Sequence, residues 1–359
     1  MTTRWTTRGK AAATAVVMVL AVSLLSACGS SSKPASVGTS GTTGSTTAPT
    51  KVTKIKFALD WTPNTNHTGL YVAEKLGYFK DAGLDVSILP YNNTSPDILV
   101  GAGKADFGIS FQDSFTFSKA AGEPITSVMA VLQHTGTEIA VKADRTDINS
   151  PKDLDGKTYG GFGGPGEEPV MKQIIKNAGG TGNFKTVILS TAAYEALYQK
   201  KVDFTIPFIA WEAIQAKLLN EPLKTFKYTD YGFPDSYAVV VMANNPWLDK
   251  NPEAAAKFVQ AMQKGYQYGE DHPKEAAQIL IDENKGVFTD TNLVFQSQDL
   301  LAKDFLKDAN GKVGPQTLEQ WTKFSNVLYT AGVLKDSGGK ALSAAPDYNT
   351  FFTNKYLSP

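Results

Sequence analysis

A short stretch of the chain, residues 60–71, concentrates side chains that could bind a flat polar molecule. Trp61 offers a face on which a ring can stack. Asn64 and Asn66 can each donate and accept hydrogen bonds, and His67 can do either. These residue types favour an organic ligand with hydrogen-bonding groups over a bare phosphate. A purely structural role stays open, because loops rich in Asn and proline are usually turns.

The surrounding pattern predicts the elements that must position this stretch. Ile55 and Phe57 alternate with polar or small residues, which is typical of a strand with one buried face. Asn66 is expected to cap a helix over residues 67–76 that Gly77 ends. In open α/β sheets ligands bind where a strand passes into a helix, because N–H groups at the helix start are unpaired.

Two later segments carry further candidate ligand-binding residues. Ser110 and Asp113 follow a predicted strand and precede the next helix. Trp211 could stack on a ring, and Glu212 could accept hydrogen bonds from an exocyclic amine or a protonated ring nitrogen. The alternative for Trp211 and Glu212 is an interfacial indole beside a solvated carboxylate.

A glycine-rich segment, residues 160–169, includes the candidates Gly163 and Gly164, whose N–H groups could cradle an anion. It matches neither the Walker pattern nor a dinucleotide fingerprint, and its two adjacent acids would repel phosphate. Glu168 is a candidate ligand contact. A carboxylate at a helix N-terminus would also complement the helix dipole, which is a structural explanation.

The segment LDWTPNTNHTGLYVAEKLGYF closely resembles the opening of the bacterial substrate-binding proteins of the NMT1/THI5-like family. The resemblance continues through GLDVSILPYNN, GAGKADFGIS, GGFGGPGEEPVMKQII and AWEAIQAKL, and covers about the whole chain beyond residue 53. It implies an α/β fold of the type II periplasmic-binding class. It also implies capture of a thiamine pyrimidine precursor, of the formylaminopyrimidine or hydroxymethylpyrimidine type, for an ABC permease and ATPase. An aromatic residue followed by an acid at Trp211 and Glu212 also matches the family.

An enzyme of the same family is the main alternative class. The fungal pyrimidine synthase that this chain resembles holds pyridoxal phosphate on a lysine and consumes one of its own histidines. Ser110 and Ser114 stand at those positions here, and serine cannot form a Schiff base. With three histidines and neither an HExxH nor a GxSxG motif, hydrolase and zinc-enzyme interpretations lack support. We therefore expect a binding protein with no catalytic residue, cofactor or metal.

The ligand itself stays open at this level. A riboflavin-like heterocycle would use the same stacking residues. Related binding proteins carry alkylsulfonate, taurine or nitrate, but such anions would need arginine or bare N–H groups rather than Trp, Asn and Glu. The three pyrimidine precursors differ in one substituent, which the sequence does not resolve.

The N-terminal segment predicts export. Three basic residues precede an apolar run, residues 11–25, which is too short to favour a permanent membrane helix. The residues Leu-Ser-Ala-Cys that end at Cys28 resemble a lipobox and imply cleavage and lipidation there. We expect a signal peptide over residues 1–27, a flexible Ser/Thr/Gly tether over residues 28–53, and a lipid anchor on the outer face of the cell membrane. An ordinary signal peptide with a chance cysteine is the alternative.

Charge and length limit the remaining possibilities. Three of the 35 basic residues lie in the signal segment, so the remaining chain carries 32 basic and 35 acidic residues and has no basic footprint for nucleic acid. Cys28 is the only cysteine, which excludes a disulfide within one chain. We expect a monomer.

The length of the chain predicts its division into lobes. About 300 residues exceed one comfortable core and predict two lobes.

Strands that alternate with helices predict βαβ units and a largely parallel sheet. Lys104-Ala105-Asp106-Phe107 returns about a hundred residues later as Lys201-Val202-Asp203-Phe204, which suggests two similarly built lobes. Lobe one is expected to comprise residues 54–140 and 243–359. Lobe two is expected over residues 141–242, with two hinge crossings and a ligand cleft between the lobes. Later aromatic residues at helical spacing, such as Trp321 and Phe324, are predicted to be core.

Overall fold

The computed structural model describes residues 52–92 and 94–359. The predicted signal peptide, the lipidation of Cys28 and nearly all of the tether lie outside the described residues.

Strands and helices alternate over the first two thirds of the described chain, and helices dominate the last third. The strands are β1 (Thr53–Ala58), β2 (Leu84–Leu89), β3 (Phe107–Ser110), β4 (Ile125–Leu132), β5 (Ile139–Lys142), β6 (Thr158–Gly161), β7 (Lys185–Ile188), β8 (Leu223–Phe226) and β9 (Val239–Asn244). The helices are α1 (Thr68–Lys75), α2 (Tyr78–Asp81), α3 (Pro96–Gly101), α4 (Gln112–Ala120), α5 (Glu167–Asn177), α6 (Ala192–Tyr198), α7 (Ile214–Leu218), α8 (Asn245–Lys250), α9 (Pro252–Asp271), α10 (Pro273–Glu283), α11 (Thr291–Asp304) and α12 (Leu318–Thr330).

Five strands form the main sheet in the order β2-β1-β3-β9-β4. β1 pairs in parallel with β2 and β3, as the βαβ pattern predicts. β9 runs antiparallel to both β3 and β4, so the prediction of a largely parallel sheet is wrong on this side. An apolar run indicates that a strand is buried but does not indicate whether it runs parallel or antiparallel to its neighbours, which explains the error.

Two smaller sheets lie in the middle of the chain. β6 and β7 pair in parallel, and β5 and β8 pair antiparallel. Residues 204–205, at the end of the repeated motif, form isolated bridges from Phe204 to Tyr159 and from Thr205 to Ala140. Through these bridges residues 204–205 connect the two small sheets.

The repeated Lys-x-Asp-Phe motif makes the same contact in both sheet regions. Oδ2 of Asp106 accepts the N–H of Lys56 in β1 at 2.8 Å, and Oδ2 of Asp203 accepts the N–H of Thr158 in β6 at 2.8 Å. In each case the aspartate N–H also donates to the carbonyl of that same residue, at 2.9 and 2.8 Å. The motif therefore joins a returning segment to one strand in each region, β1 in the main sheet and β6 in the small sheets.

The late helices cover the main sheet with aromatic side chains. Phe258 of α9 stacks on Phe79 at 5.3 Å between ring centroids and contacts Phe107 of β3 at 4.2 Å. Trp321 of α12 is fully buried, which confirms the core role predicted for it. Among the described helices, none is long and apolar enough to cross a membrane.

Candidate ligand-binding cavity

A cavity of about 500 Å³ is lined by loops and helices that adjoin strands of the main sheet and of the two smaller sheets. Ten aromatic side chains line it, which gives it a largely apolar wall. These are Trp61, Phe111, Phe117, Phe162, Tyr194, Phe208, Trp211, Tyr228, Tyr237 and Phe324. A concave apolar site with a few converging polar groups is the usual form of a small-molecule site.

The loop after β1 brings Asp60, Trp61, Asn64 and Asn66 to the cavity. Its shape depends on Asn64, whose Oδ1 accepts the N–H of Asn66 at 2.9 Å. The cap prediction is therefore wrong by two residues, because a 3₁₀ turn over Thr65–His67 precedes α1.

His67 lies behind the loop and does not line the cavity. Its side chain is fully buried, and Nδ1 accepts the N–H of Asn64 at 3.2 Å. An imidazole nitrogen that accepts cannot carry the ring proton, so Nε2–H donates to Oδ1 of Asp60 at 2.7 Å. His67 thus fixes the orientation of the Asp60 carboxylate from behind.

Asn66 presents an unsatisfied polar atom beside the cavity. Its backbone carbonyl accepts the Tyr266 hydroxyl at 2.6 Å, which ties the loop to α9. Its side chain is 7% exposed, and Oδ1 has no hydrogen-bond partner within residues 52–92 and 94–359. An unpaired buried polar atom costs about 1–3 kcal/mol, so a ligand that pairs with it gains affinity.

Trp61 forms the exposed edge of the cavity. Its indole is 43% exposed and lies 5.2 Å from the Tyr91 ring, between centroids. This position leaves a broad aromatic face available for stacking.

At the end of β3, Ser110 and Asp113 have different surroundings. Ser110 is buried and donates to Oδ1 of Asp97 at 2.8 Å; it does not line the cavity. Burial raises the pKa of Asp97 to about 6 despite this hydrogen bond. Asp113, in the first turn of α4, lines the cavity. Burial raises the pKa of Asp113, and the nearby Glu167 charge adds to the effect.

The glycine-rich loop is organised by a carboxylate of the protein itself. Glu167 lines the cavity at the start of α5, and its Oε1 accepts the N–H of Gly164 at 2.6 Å. Its Oε2 accepts the N–H of Phe162 at 2.8 Å and the hydroxyl of Tyr159 at 2.9 Å. The N–H groups that could have cradled an anion therefore already bind a carboxylate.

Gly164 lines the cavity, whereas Gly163 and Glu168 do not. Gly163 has φ +94°, a left-handed conformation that favours glycine, and lies beside Ile188. The Glu168 carboxylate binds Nζ of Lys172 at 2.8 Å, one helical turn along α5. This hydrogen bond lowers the pKa of Glu168. Successive residues on a helix point about 100° apart, so Glu167 and Glu168 face different sides.

Trp211 and Glu212 lie in a π-helical segment, Ile209–Ala213, that runs into α7. Such segments occur often at functional sites. Both side chains line the cavity. Oε2 of Glu212 accepts the N–H of Phe208 at 3.0 Å, and burial raises the pKa of Glu212 to about 7.

The charged side chains of the described residues that line the cavity are all acidic. Four carboxylates line it, those of Asp60, Asp113, Glu167 and Glu212, whereas the lining within the described chain contains no Lys, Arg or His. No three His, Cys, Asp or Glu side chains in this same part of the chain come together as a metal site. The cavity is therefore suited to a ligand with hydrogen-bond donors or positive charge.

Comparison with known proteins places these features in a family. The family described as NMT1/THI5 like matches residues 64–276, more than half of the chain. The chain belongs to the NMT1/THI5-like family. A formylaminopyrimidine-binding protein of Halalkalibacterium halodurans is 30% identical over 273 residues, which cover 74% of this chain and 82% of that protein.

A protein named as an enzyme is a more distant relative of this chain. A 4-amino-5-hydroxymethyl-2-methylpyrimidine phosphate synthase of Saccharomyces cerevisiae is 28% identical over 325 residues, covering 85% of this chain and 88% of the enzyme.

The NMT1/THI5-like chain has the periplasmic-binding-protein fold. The ligand-binding component of an ABC-type import system from Staphylococcus aureus superposes with a TM-score of 0.64 at 17% identity, covering 85% of this chain and 97% of that chain. The aliphatic sulphonate binding protein SsuA of Escherichia coli superposes with a TM-score of 0.60 at 14% identity, covering 81% and 92%.

Sequence reasoning missed several cavity residues of this NMT1/THI5-like protein. Asp60 and Glu167 each adjoin a predicted candidate, so the motifs located the segments but not these side chains. Tyr194 and Tyr228 belong to no motif and come to the cavity only through the arrangement of α6 and the turn after β8.

Proposed function

We propose that this protein is the extracytoplasmic substrate-binding component of an ABC importer and captures a thiamine pyrimidine precursor in the cavity. One observation carries the proposal: ten aromatic side chains and four carboxylates line a single cavity, and no basic side chain of residues 52–92 and 94–359 lines it. A 4-aminopyrimidine is flat and carries an amine that donates hydrogen bonds, so it fits this combination. The 30% identical relative is named for binding a formylaminopyrimidine, which supports the same class.

The proposed mechanism is capture without chemistry. Trp61 and Trp211 stack on the ring, the carboxylate of Glu212 accepts from the exocyclic amine, and Oδ1 of Asn66 accepts a further donor. The proposed lobes, residues 54–140 with 243–359 and residues 141–242, close on the ligand through the two hinge crossings. The closed form presents the surface that a permease and its ATPase recognise.

Two competing functions have less support. Sulfonate or nitrate would meet four carboxylates, and the N–H groups of the glycine-rich loop already bind Glu167. The synthase function would need a lysine where Ser110 stands, and Ser110 is buried against Asp97.

A ligand screen with matched variants tests the proposal. Calorimetry on the full-length chain compares formylaminopyrimidine, hydroxymethylpyrimidine, riboflavin, taurine and nitrate. We expect a pyrimidine to bind, and Trp211→Ala and Glu212→Ala to weaken binding by at least about tenfold, or about 1.4 kcal/mol. Glu168→Ala is the control, because that carboxylate binds Lys172 outside the cavity. Binding of taurine or nitrate alone, or unchanged pyrimidine affinity in both variants, would contradict the proposal.

Anchoring is a separate proposal that rests on the sequence around Cys28. Lipidation of this only cysteine would hold the protein, as a monomer on its tether, at the outer face of the cell membrane. Cys28→Ala is expected to move the protein from the membrane fraction to the soluble fraction, as measured by immunoblotting. A variant that stays fully membrane-bound would contradict the anchor.

A further inference from the structure

The carboxylates of the cavity differ in how fully the protein satisfies them. Both oxygens of Glu167 accept hydrogen bonds from the loop and from Tyr159. Asp113 accepts from Ser114 at Oδ1 only, at 2.7 Å from its N–H, and Glu212 accepts from Phe208 at Oε2 only. Within the part of the chain that the structure describes, the second oxygen of each has no hydrogen-bond partner. Two half-satisfied carboxylates therefore line the same cavity.

No cation among the described residues balances these charges. None of Asp113, Glu167 and Glu212 forms an ion pair with a described basic residue, and Asp60 pairs only with the buried ring of His67. Like charges in a low-dielectric wall repel one another more strongly than in water. A bound cation would relieve this repulsion and gain attraction to each carboxylate.

The carboxylates also act on one region of the cavity. Burial is the main cause of the raised pKa of Asp113 and of the Tyr194 hydroxyl, and the Glu167 charge raises both pKa values further. Glu212 raises the pKa of the same Tyr194 hydroxyl. A ligand in contact with Asp113 is therefore within the electrostatic reach of Glu167.

The aromatic wall reinforces this preference. Phe111, Phe117 and Tyr228 line the cavity together with Asp113. Aromatic faces attract cations as well as stacking on rings, and the attraction grows when water is excluded. Carboxylates and π-faces, with no basic side chain of the described chain among them, form an environment that fits an organic ammonium.

We propose that Asp113 determines specificity and selects a pyrimidine that carries an ammonium group over a neutral analogue of the same shape. The Oδ2 atom of Asp113 accepts from the ammonium, and the aromatic wall surrounds its charge. The inference deepens the proposed function and rests on it: the preferred ligand is the aminomethyl form of the pyrimidine precursor.

A matched pair of ligands tests this inference. 4-Amino-5-aminomethyl-2-methylpyrimidine and its 5-hydroxymethyl analogue differ only in an amine and a hydroxyl, and a primary alkylamine is protonated at pH 7. Calorimetry at pH 7 gives both dissociation constants for the full-length chain. We expect the aminomethyl compound to bind at least about tenfold tighter, which corresponds to about 1.4 kcal/mol.

Two isosteric variants assign this selectivity to one side chain. In Asp113→Asn the ratio of the two dissociation constants is expected to fall to about threefold or less, about 0.65 kcal/mol. Glu195→Gln removes an exposed negative charge beside Tyr194 that does not line the cavity, and it should retain the wild-type ratio. Thermal melts verify that both variants are folded.

Three outcomes would overturn the inference. Equal or tighter binding of the hydroxymethyl compound by the wild type would show that no ammonium is preferred. A full preference retained in Asp113→Asn would place the selectivity on another residue. Failure of both pyrimidines to bind would refute the proposed capture of a pyrimidine, and this inference with it, which is distinguishable from the first two results.

Discussion

At the scale of single residues, burial sets the protonation of one acid that lines the cavity, Glu212. Glu212 accepts a hydrogen bond from the Phe208 N–H, and burial raises its pKa to about 7 from its ordinary value of 4.5. The folded protein therefore binds more protons at this position than the unfolded chain between about pH 4.5 and pH 7. Stability from this group falls as the pH rises through that range. Above about pH 7 the charged Glu212 carboxylate therefore lowers the stability of the ligand-free protein, and it is available to a ligand.

Glu212→Gln is expected to stabilise the ligand-free protein at pH 8, by up to about 3 kcal/mol, and to change it little near pH 4.5. The amide retains an oxygen that can accept the Phe208 N–H and removes the buried charge. Urea unfolding at the two pH values measures the difference. In Glu168→Gln, the control, the replaced group has a lowered pKa, so this variant should gain no stability at pH 8. Equal stabilisation of the Glu212→Gln protein at both pH values would contradict the argument.

Ser110 supports a buried acid, so its removal should affect stability rather than ligand affinity. Ser110→Ala removes the hydroxyl that donates to Oδ1 of Asp97, a residue that is 3% exposed. We expect a loss of about 1–3 kcal/mol at pH 7. The loss should be smaller at pH 5, below the Asp97 pKa of about 6, where the carboxyl is largely neutral. Chemical denaturation at both pH values tests this, and a loss confined to pH 5 would refute it.

At the scale of elements, the packing of α1 on α9 positions the ligand loop. Gly69 of α1 leaves room for the Tyr266 ring of α9, and Gly265 lies against the backbone of Gly69. The Tyr266 hydroxyl then reaches the carbonyl of Asn66 at 2.6 Å. Two glycines allow the helices to approach closely, and this approach places a cavity residue.

Gly265→Ala is expected to destabilise the protein by about 1–3 kcal/mol, because the added methyl would meet the carbonyl oxygen of Gly69, which cannot rotate away. This loss should exceed the gain of roughly 1 kcal/mol in helix propensity. Pyrimidine affinity should fall too, because displacement of α1 moves Asn66. Denaturant unfolding and calorimetry measure the two effects.

A glycine of the same helix supplies the control. A methyl at Gly269 would meet Nε2 of Gln298 at 3.3 Å, and this amide, which donates to the Gly269 carbonyl at 3.0 Å, would need to move by only a few tenths of an ångström. Gly269→Ala should therefore be neutral or slightly stabilising. Similar destabilisation in both variants would show that α9 tolerates no alanine at either position. The loss in Gly265→Ala could then not be assigned to the Gly69 carbonyl.

At the scale of the whole molecule, the chain passes between its sheet regions twice. β4 of the main sheet leads into β5 of the small sheets, and the chain returns from β8 to β9 of the main sheet. The cavity takes its lining from both regions. Closure about two such crossings is the proposed motion of the molecule.

Ligand binding is expected to make the protein more compact, which X-ray scattering in solution measures as a smaller radius of gyration. A pyrimidine at a hundred times its dissociation constant should also stabilise the folded protein by about 2.7 kcal/mol. Glu212→Ala at the same ligand concentration should show a smaller change in both quantities. An unchanged radius of gyration in the saturated wild type would contradict closure.

The sequence by itself determined the local features and the family. The opening motif indicated the NMT1/THI5-like family, alternation predicted β1, and helical spacing predicted that Trp321 is core. Such features depend on residues that are near neighbours in the chain, so the sequence alone predicts them.

The tertiary structure alone decided which side chains reach the cavity. The motifs predicted His67, Ser110 and Glu168 as contacts, yet the structure turns them toward Asp60, Asp97 and Lys172. Neighbouring residues on a helix or strand face different directions, so a motif locates a segment but not the side chain that faces the ligand. The antiparallel pairing of β9 and the placement of Asp113 and Glu167 in one cavity likewise depend on segments distant in sequence, and only packing brings these together.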